Sequence, residues 1–399
     1  MPRILVVTVD PPWPAISGPD LRNWQNISAL TECGEVSVAS LLPVALACPP
    51  TNSNVTIIGL TKDGEERRAG FSRRRTSIDL NIPKAAFNRL EALAHALRPD
   101  IAILEGIPLH PFLSLLRPLT PNLILDMHNI ESDLAGQLRD LRTPSLKWLQ
   151  AIADRDPERI RLAELSAVQV ADSVWVCSED DRRRLETFAG RAIRTHVVPN
   201  GVPRIASISE PIQPVERNAE RAAVLFVGHL GYQPNIRAVR RLARGIMPLV
   251  RQNLPQSRLT VVGRSPQRAL VRLVSNGGFD LVANPDDVSG YLSVADVVAV
   301  PLDVGGGTRL KILEAMAAGV PVVATPLAAE GLGLVDGVHI SFASSDAEFA
   351  TGIEALCRDP DRWHRQRENA RKHVLNAYGP TAIRRAVWEG VGRGPDVSV

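Results

Sequence analysis

Residues 299–325 read AVPLDVGGGTRLKILEAMAAGVPVVAT, and this stretch decides the fold of the second half of the chain. The run Asp296–Val300 is apolar and β-branched, which is typical of a buried parallel strand. Three glycines follow, and Thr308–Ala318 is a run of helix formers with Thr308 as its expected N-cap. Gly319 and Pro321 end that helix. The stretch therefore predicts a strand, a glycine loop, a helix and a second strand.

The chemistry of this stretch is open to two interpretations. A glycine loop that opens a helix presents free N–H groups to an anion, and Arg309 and Lys311 add two cations in the first turn. Glu314 lies further along the same helix, where its carboxylate could accept hydrogen bonds from a ribose diol. Phosphate binding is one interpretation; the other is an ordinary glycine-rich turn with a solvated arginine and lysine.

The composition limits the class of protein. A chain of 399 residues favours two domains, and 45% hydrophobic with 22% charged residues is typical of a globular protein. A net charge of +3 gives no reason to expect a nucleic-acid partner. The four cysteines have no metal-binding spacing, and we expect neither a metal site nor disulfides. With no signal peptide and no apolar run of membrane-spanning length, we expect a cytoplasmic protein, with at most peripheral contact at the inner face of a membrane.

Strands and helices alternate in both halves, which predicts parallel sheets built from right-handed units. The fold class is α/β, with two doubly wound Rossmann-like domains facing a cleft. The segment Ile205–Glu220, rich in Pro, Ser and Glu, is the expected linker. We therefore expect an N-terminal domain over 1–204, a C-terminal domain over 205–378, and a last helix with a tail over 379–399.

Polar residues follow directly after the predicted strand Asn122–Met127. His128 lies at its carboxyl end, where α/β proteins place their sites, and it could donate a hydrogen bond to a substrate or act as an acid or base. Asp126, Glu131 and Asp133 are possible helpers.

Two loops of the first half are candidates for binding. The loop after the first strand, residues 10–19, contains Trp13 and Ile16, which hint at an apolar acceptor. The segment Lys62–Arg75 holds five arginines and is interpreted as a solvated loop, or else as a dock for an anionic acceptor or a lipid headgroup.

Several motifs together resemble one known family, the family-4 (group 1) glycosyltransferases of the GT-B architecture. In chain order they are Val198-Pro199-Asn200-Gly201-Val202, Phe226-Val227-Gly228, Val262-Gly263, residues 295–301 and residues 313–323. The resemblance covers the whole chain and is strongest over residues 222–378. It implies the transfer of a sugar from a nucleotide-diphosphate sugar to an acceptor hydroxyl, without a metal and with retention of anomeric configuration.

The resemblance also assigns roles to single residues. It implies that the C-terminal domain holds the donor, that the N-terminal domain holds the acceptor, and that the last helix crosses back to the N-terminal domain. Glu314 matches a glutamate that holds the donor ribose, and His128 matches a histidine that reaches the transferred sugar. The expected catalytic residues are His128, Arg309 and Lys311, and the expected donor-binding residues are Gly18, His229, Arg264, Gly305, Gly306, Gly307, Thr308 and Glu314.

The chain departs from the family pattern at three points. Gly306 stands where the family often has a second glutamate, His229 where it has an arginine, and Asn235 near where it has a lysine. We expect the cations Arg309, Lys311 and Arg264 to replace the lost positive charge at the pyrophosphate.

Other functions remain as alternatives. A nucleotide-sugar epimerase of similar fold would need additional acid and base carboxylates, and an inactive homologue would bind the donor without turnover. A dehydrogenase is disfavoured, because neither half has a Gly-x-Gly-x-x-Gly loop after its first strand. The expected partners are a nucleotide-sugar donor, which serves as co-substrate with no other cofactor, and an acceptor that is a natural product, a lipid-linked sugar or a polysaccharide.

Overall fold

The computed structural model describes residues 1–15, 17–44, 55–62, 81–140, 156–202 and 220–393. The chain forms two compact units. Unit 1 consists of Met1–Asn200 together with Thr381–Val399, and unit 2 consists of Gly201–Pro380. Most of the expected linker and most of the arginine-rich segment 62–75 lie outside the described residues.

Unit 1 contains a sheet of seven parallel strands in the order β3-β2-β1-β4-β5-β6-β7. The strands are β1 Arg3–Thr8, β2 Glu35–Ser40, β3 Val55–Gly59, β4 Ile101–Glu105, β5 Asn122–Met127, β6 Ser173–Val176 and β7 Thr195–Val197. The direction of strand addition reverses between β1 and β4, and a doubly wound sheet binds ligands at such a point.

Helices flank this sheet. They are α1 Gly18–Leu30, α2 Lys84–Leu97, α3 Leu113–Leu116, α4 Glu131–Asp140, α5 Pro157–Val170 and α6 Glu179–Ala189. Ser17 and Asp20 form a reciprocal capping box at the start of α1. Before α3, which is a single turn, residues Ile107–Phe112 form a 3₁₀ helix, in which Pro111 removes a backbone donor in mid-segment. Sequence reasoning missed α4.

The C-terminal helix α14, Pro380–Gly390, covers one face of the unit 1 sheet. Ile383 and Val387 are buried among Ile4, Val36 and other residues of that face. Trp388 Nε1 donates to the Ala29 carbonyl over 3.1 Å, and His196 Nε2 lies 2.7 Å from the Ala386 carbonyl oxygen. Unit 1 therefore draws part of its core from the end of the chain.

Unit 2 contains six parallel strands in the order β10-β9-β8-β11-β12-β13. They are β8 Ala223–Val227, β9 Arg258–Gly263, β10 Asp280–Ala283, β11 Val297–Val300, β12 Val322–Ala324 and β13 Ser341–Phe342. Here the order reverses between β8 and β11. Both central strands are almost wholly apolar, as parallel strands covered on both faces must be.

The helices of unit 2 are α7 Gln233–Arg241, α8 Met247–Asn253, α9 Arg268–Asn276, α10 Ser289–Ser293, α11 Leu310–Ala317, α12 Asp346–Arg358 and α13 Pro360–Tyr378. A π-helical turn, Leu242–Ile246, joins α7 to α8. The expectation that Thr308 caps the helix of the opening stretch is wrong. The helix begins at Leu310, Arg309 occupies the N-cap position, and no side chain caps it.

Candidate active site

Each unit carries one polar cluster at the carboxyl ends of its central strands, and we describe the two separately. In unit 1 the cluster centres on a buried ion pair. Arg22 on α1 donates to both carboxylate oxygens of Asp126, Nη2 to Oδ1 over 2.6 Å and Nε to Oδ2 over 2.9 Å. Arg22 also donates to the Val198 carbonyl (2.8 Å) and to Asn200 Oδ1 (3.0 Å). It therefore connects α1 and β5 with the segment that directly follows β7.

The protonation states in this cluster follow from burial and from Arg22. Burial alone would raise the pKa of Asp126, but Arg22 and then His128 outweigh it and lower that pKa. Burial, followed by the charge of Asp126, raises the pKa of Glu105 well above its ordinary value. Burial also lowers the pKa of His128. The cluster therefore consists of the Arg22–Asp126 ion pair beside a Glu105 carboxyl and a His128 imidazole, both of which burial shifts toward their neutral forms.

His128 is the predicted residue of this cluster, and it lies at the end of β5 with 16% of its side chain exposed. Its Nε2 is 3.1 Å from Glu105 Oε2 and 3.9 Å from Asp126 Oδ2. The buried carboxyl of Glu105 thus sets the orientation of the ring. Such an imidazole can donate or accept a hydrogen bond with a substrate, and it carries no charge while doing so.

Ligand atoms of Glu105, Asp126 and His128 lie within 4.8 Å of one another, a spacing that a metal ion could use. The chemistry of the trio fits a metal poorly. Both oxygens of Asp126 are already bonded to the guanidinium of Arg22, which supplies the compensating positive charge. A cation at this place would have to displace a buried arginine.

A second buried carboxyl supports the backbone that follows His128. Glu164 on α5 is fully buried and accepts hydrogen bonds from the backbone N–H of Glu131 (2.7 Å) and of Ser132 (3.3 Å) at the start of α4. The Ser132 hydroxyl donates to it as well. Burial raises the pKa of Glu164 to about 7 against the opposing effect of these donors.

In unit 2 the cluster surrounds the loop between β8 and α7. Gly263 at the end of β9 packs directly against this loop, and a Cβ there would lie 1.8 Å from the Gly228 carbonyl oxygen. Asn235 in the first turn of α7 is buried and donates to the His229 carbonyl over 3.0 Å. His229 itself is exposed, and the half-buried Arg264 follows β9.

Lys311 reaches this loop from α11. Its ammonium donates to Asn235 Oδ1 over 2.6 Å and lies 4.6 Å from the centre of the Phe226 ring. Burial, and next the charge of Arg309, lower the pKa of Lys311 to about 7, while Glu314 opposes the shift. The structure therefore brings Lys311 to the carboxyl end of β8, within electrostatic range of Glu314.

Arg309 has a different environment from the predicted one. Its guanidinium donates to the backbone carbonyls of Gly306 and Gly307 and lies against Gly305, and the residue is only 9% exposed. Gly305 and Gly307 have φ values of 153° and 67°, which favour glycine. Arg309 therefore holds the glycine loop in shape. This role makes it a weaker candidate for a phosphate ligand than Lys311.

Two protein-family models match this chain. The model described as "Glycosyl transferase 4-like domain" matches residues 42–201, and the one described as "Glycosyl transferases group 1" matches residues 221–359. The two matches cover most of both units. The chain belongs to the group 1 glycosyltransferases.

Two curated proteins are similar to parts of this group 1 glycosyltransferase. A D-inositol 3-phosphate glycosyltransferase of Corynebacterium kroppenstedtii is 25% identical over 56% of the chain and 54% of its own length. An uncharacterized 44.6 kDa protein from the cps region of Klebsiella pneumoniae is 23% identical over 39% of the chain and 41% of its own length. The chain thus spans about half or less of the curated relatives that it matches.

Solved structures share the whole fold. Sucrose-phosphate synthase from Thermosynechococcus elongatus has a TM-score of 0.74 at 17% identity, with 98% of each chain covered. HepE of Anabaena, solved with UDP-glucose, has a TM-score of 0.64 at 15% identity over 98% of this chain and 100% of its own. An α,α-trehalose-phosphate synthase (UDP-forming) of Burkholderia vietnamiensis has a TM-score of 0.66 at 17% identity over 96% and 95% of the two chains. The two-domain GT-B fold is thereby established.

The remaining predicted donor residues of this glycosyltransferase lie on three segments. Gly305, Gly306, Gly307 and Thr308 form the loop before α11, which also carries the half-buried Glu314. Gly18 is exposed as the first residue of α1, so the expected glycine loop after β1 is a helix start at this position. Ile16 lies outside the described residues.

Sequence reasoning missed three residues of the clusters. Glu105 ends the otherwise apolar strand β4, and a carboxylate there beside the strand that leads to His128 was a usable signal. Arg22 and Asn26 gave no signal, because their contacts with Asp126 span 104 and 100 residues of sequence.

None of the helices in the described part of the chain has the length and the apolar character that a membrane span requires.

Proposed function

We propose that this protein transfers a hexose from a nucleotide-diphosphate sugar to an acceptor hydroxyl. The observation that carries the proposal is the placement of the Lys311 ammonium at the carboxyl end of β8, within electrostatic range of Glu314, in the unit that matches the group 1 family model. An ammonium suits a diphosphate and a carboxylate suits a ribose diol. UDP is the nucleotide to test first, because the structural neighbour HepE was solved with UDP and with UDP-glucose.

The chemistry asked of these residues is modest. A nucleoside diphosphate leaves readily once its developing charge is neutralised, and a positioned cation in a partly buried site supplies that stabilisation. We propose that Lys311 does so without a metal. In the same scheme His128, held neutral beside Glu105, contacts the transferred sugar through a hydrogen bond.

Retention of anomeric configuration is part of the proposal. It follows from the family resemblance and requires no protein nucleophile if the acceptor attacks from the face that the diphosphate leaves. The unit 1 cluster is consistent with this, since Asp126 is paired with Arg22 and burial raises the pKa of Glu105, which disfavours its ionised form. Both carboxyls are therefore poorly suited to act as a nucleophile.

The test is a transfer assay in EDTA with a panel of nucleotide-hexoses. Acceptors would include a polyphenolic aglycone, a lipid-linked sugar and a polysaccharide, and the readout is nucleoside diphosphate together with the anomeric proton of the product. We expect acceptor-dependent release that survives EDTA and falls in Glu314→Ala. Formation of an epimeric nucleotide sugar without acceptor would instead indicate an epimerase, and binding without any turnover would indicate an inactive homologue.

A further inference from the structure

The Lys311 ammonium is incompletely bonded. Within the described part of the chain its hydrogen bond is to Asn235 Oδ1, and its other close neighbour is the face of the Phe226 ring. An ammonium has three N–H donors and is best satisfied by oxygen acceptors. An anion that accepts from the remaining N–H donors would complete this shell with charge-assisted hydrogen bonds.

Asn235 can present only its oxygen to Lys311. The residue is buried with 6% of its surface exposed, and its amide nitrogen donates to the His229 carbonyl over 3.0 Å. Turning the amide would place the nitrogen against the ammonium and the oxygen against a carbonyl, two repulsive contacts. The backbone of the β8–α7 loop therefore fixes where Oδ1 lies, and Oδ1 fixes where the ammonium lies.

The neutral amide also leaves the positive charge available. An aspartate at this position would pair with Lys311 and cancel its charge, whereas an amide oxygen orients the ammonium without neutralising it. The charged groups near the ammonium are Arg309 and Glu314 from its own segment. The titratable side chain of the facing loop, His229, is exposed.

Gly228 lies directly beside this ammonium. A Cβ at position 228 would lie 3.0 Å from Lys311 Nζ and 3.0 Å from Asn235 Nδ2. A side chain there would occupy the space beside the ammonium, so the glycine leaves room for a ligand oxygen. Arg309 cannot serve in its place without leaving the glycine-loop carbonyls that it binds.

We propose that Asn235 is the positioning residue that holds the Lys311 ammonium against the diphosphate of the donor. This inference rests on the proposed function and adds a division of labour: Lys311 contacts the phosphates, Asn235 sets its place, and Arg309 shapes the loop. The ligand class follows from the chemistry, which selects for a diphosphate and is indifferent to the base.

Proton linkage gives the inference a distinctive readout. In the protein without a ligand, the pKa of Lys311 is about 7. A bound diphosphate must raise this pKa, because its negative charge favours the protonated ammonium. Above pH 7, binding therefore takes up a proton, and affinity falls by up to about tenfold per pH unit. The terminal phosphate of a nucleoside diphosphate titrates near pH 6, so it contributes little above pH 7.

The experiment is calorimetric titration of UDP, GDP, ADP and the three nucleosides at pH 7, 8 and 9. For the base whose diphosphate binds wild type, we expect Lys311→Met to lower the affinity for the nucleoside diphosphate by about tenfold or more. The affinity for the nucleoside should stay unchanged. Lys311→Arg should retain binding and lose the pH dependence. Asn235→Ala should lower the affinity for the diphosphate. Asn235→Asp should move the fall in affinity to higher pH, because an aspartate would pair with the Lys311 ammonium. Lys372→Met, the same change at an exposed site on α13, is the matched control.

Two results would overturn the inference in distinguishable ways. If wild type binds a diphosphate and either Lys311→Met or Asn235→Ala binds it equally well with the same pH dependence, the role of that residue is refuted and the proposed function stands. If wild type binds no nucleoside diphosphate, the proposed function fails together with the inference. Should Lys311→Met fold poorly, the loss of pH dependence in Lys311→Arg decides the question alone.

Discussion

Arg22 and Asp126 form an ion pair whose side chains are 1% and 0% exposed. Removing one member leaves the other charged in a site without water, which costs about 3–5 kcal/mol. We therefore expect Arg22→Met to destabilise unit 1 by about that amount. Hydrogen exchange of the β5 amides measures the effect locally.

The exposed pair Arg3–Asp100 is the matched control for this prediction, since its charges lie 3.7 Å apart with about half of each side chain exposed. Arg3→Met should cost less than about 1 kcal/mol. A cost of Arg22→Met as small as the one expected for this control would contradict the prediction, because breaking the buried pair would then leave no costly uncompensated charge.

Glu105 gives a prediction of pH dependence. Its pKa is raised above 4.5 in the folded protein, so the folded state keeps a proton that the unfolded state loses. Above pH 4.5 this group therefore makes stability fall as the pH rises toward its folded pKa. Glu105→Gln, which mimics the protonated form, should remove that component.

Denaturant unfolding of wild type and Glu105→Gln between pH 4.5 and 7 tests this. The advantage of wild type over the variant should shrink steadily as the pH rises. A constant difference would show that Glu105 titrates normally, whereas Asp126→Asn should destabilise at every pH in this range because it breaks the pair with Arg22.

At the residue scale, sequence reasoning reached the groups that sit within the motifs. His128 and Lys311 were predicted because their motif and strand-end positions are visible locally. The contacts of Arg22 with Asp126 and of Asn235 with Lys311 were not predicted, since they join residues 104 and 76 positions apart. No local pattern contains such distances.

Among the elements, the end of β9 and the loop after β8 approach each other too closely for any side chain at position 263. In Gly263→Ala the new Cβ would meet the Gly228 carbonyl oxygen, and the loop that carries Asn235 would have to move. We expect unit 2 to lose about 2 kcal/mol or more and diphosphate affinity to fall at least about tenfold.

Gly290→Ala is the control, because a Cβ at this position on α10 meets nothing within 4 Å. It should leave binding unchanged and stability equal or slightly higher. Wild-type affinity in Gly263→Ala, measured by the same titration, would show that the loop position does not control the site.

Sequence patterns located most elements because buried parallel strands read as nearly continuous apolar runs. β5 was predicted to the residue, and β11 to within one residue at its start. The start of α11 was wrong because Arg309, which binds the carbonyls of Gly306 and Gly307, fixes the loop that precedes it. The prediction that Thr308 is the N-cap was based on residue preference alone. Such a preference does not take into account the hydrogen bonds that the long Arg309 side chain makes with the preceding loop.

For the whole molecule, the last helix α14 is part of the core of unit 1. Val387 is fully buried in the same cluster as Ile4 and Trp175. Val387→Ala should therefore destabilise unit 1 by about 2 kcal/mol, through lost burial and the cavity that remains. Hydrogen exchange should report the loss in β1 and leave β8 of unit 2 unaffected.

An exposed change on the same helix separates this effect from helix propensity. Arg385→Ala removes an exposed i,i+4 pair with Glu389 and should alter stability by less than about 0.5 kcal/mol. If Val387→Ala weakened β8 and spared β1, the assignment of α14 to unit 1 would be wrong.

The two-unit α/β architecture was predictable from the alternation of strands and helices and from the family motifs. Family membership and the GT-B fold are confirmed by the comparisons. The sugar and the acceptor were not predictable, since the side chains that choose them act through shape, and shape depends on loops whose conformation no periodicity encodes.

The most direct test of the central claim is a thermal-shift panel of nucleoside diphosphates and nucleotide sugars on wild type and Glu314→Ala. A ligand at about a hundred times its dissociation constant stabilises the fold by about 2.7 kcal/mol, which such a scan detects. We expect the melting temperature of wild type to rise with the nucleoside diphosphate and the nucleotide sugars of one base. This rise should be lost in Glu314→Ala. No shift with any nucleotide, or an equal shift in Glu314→Ala, would contradict the donor site in unit 2.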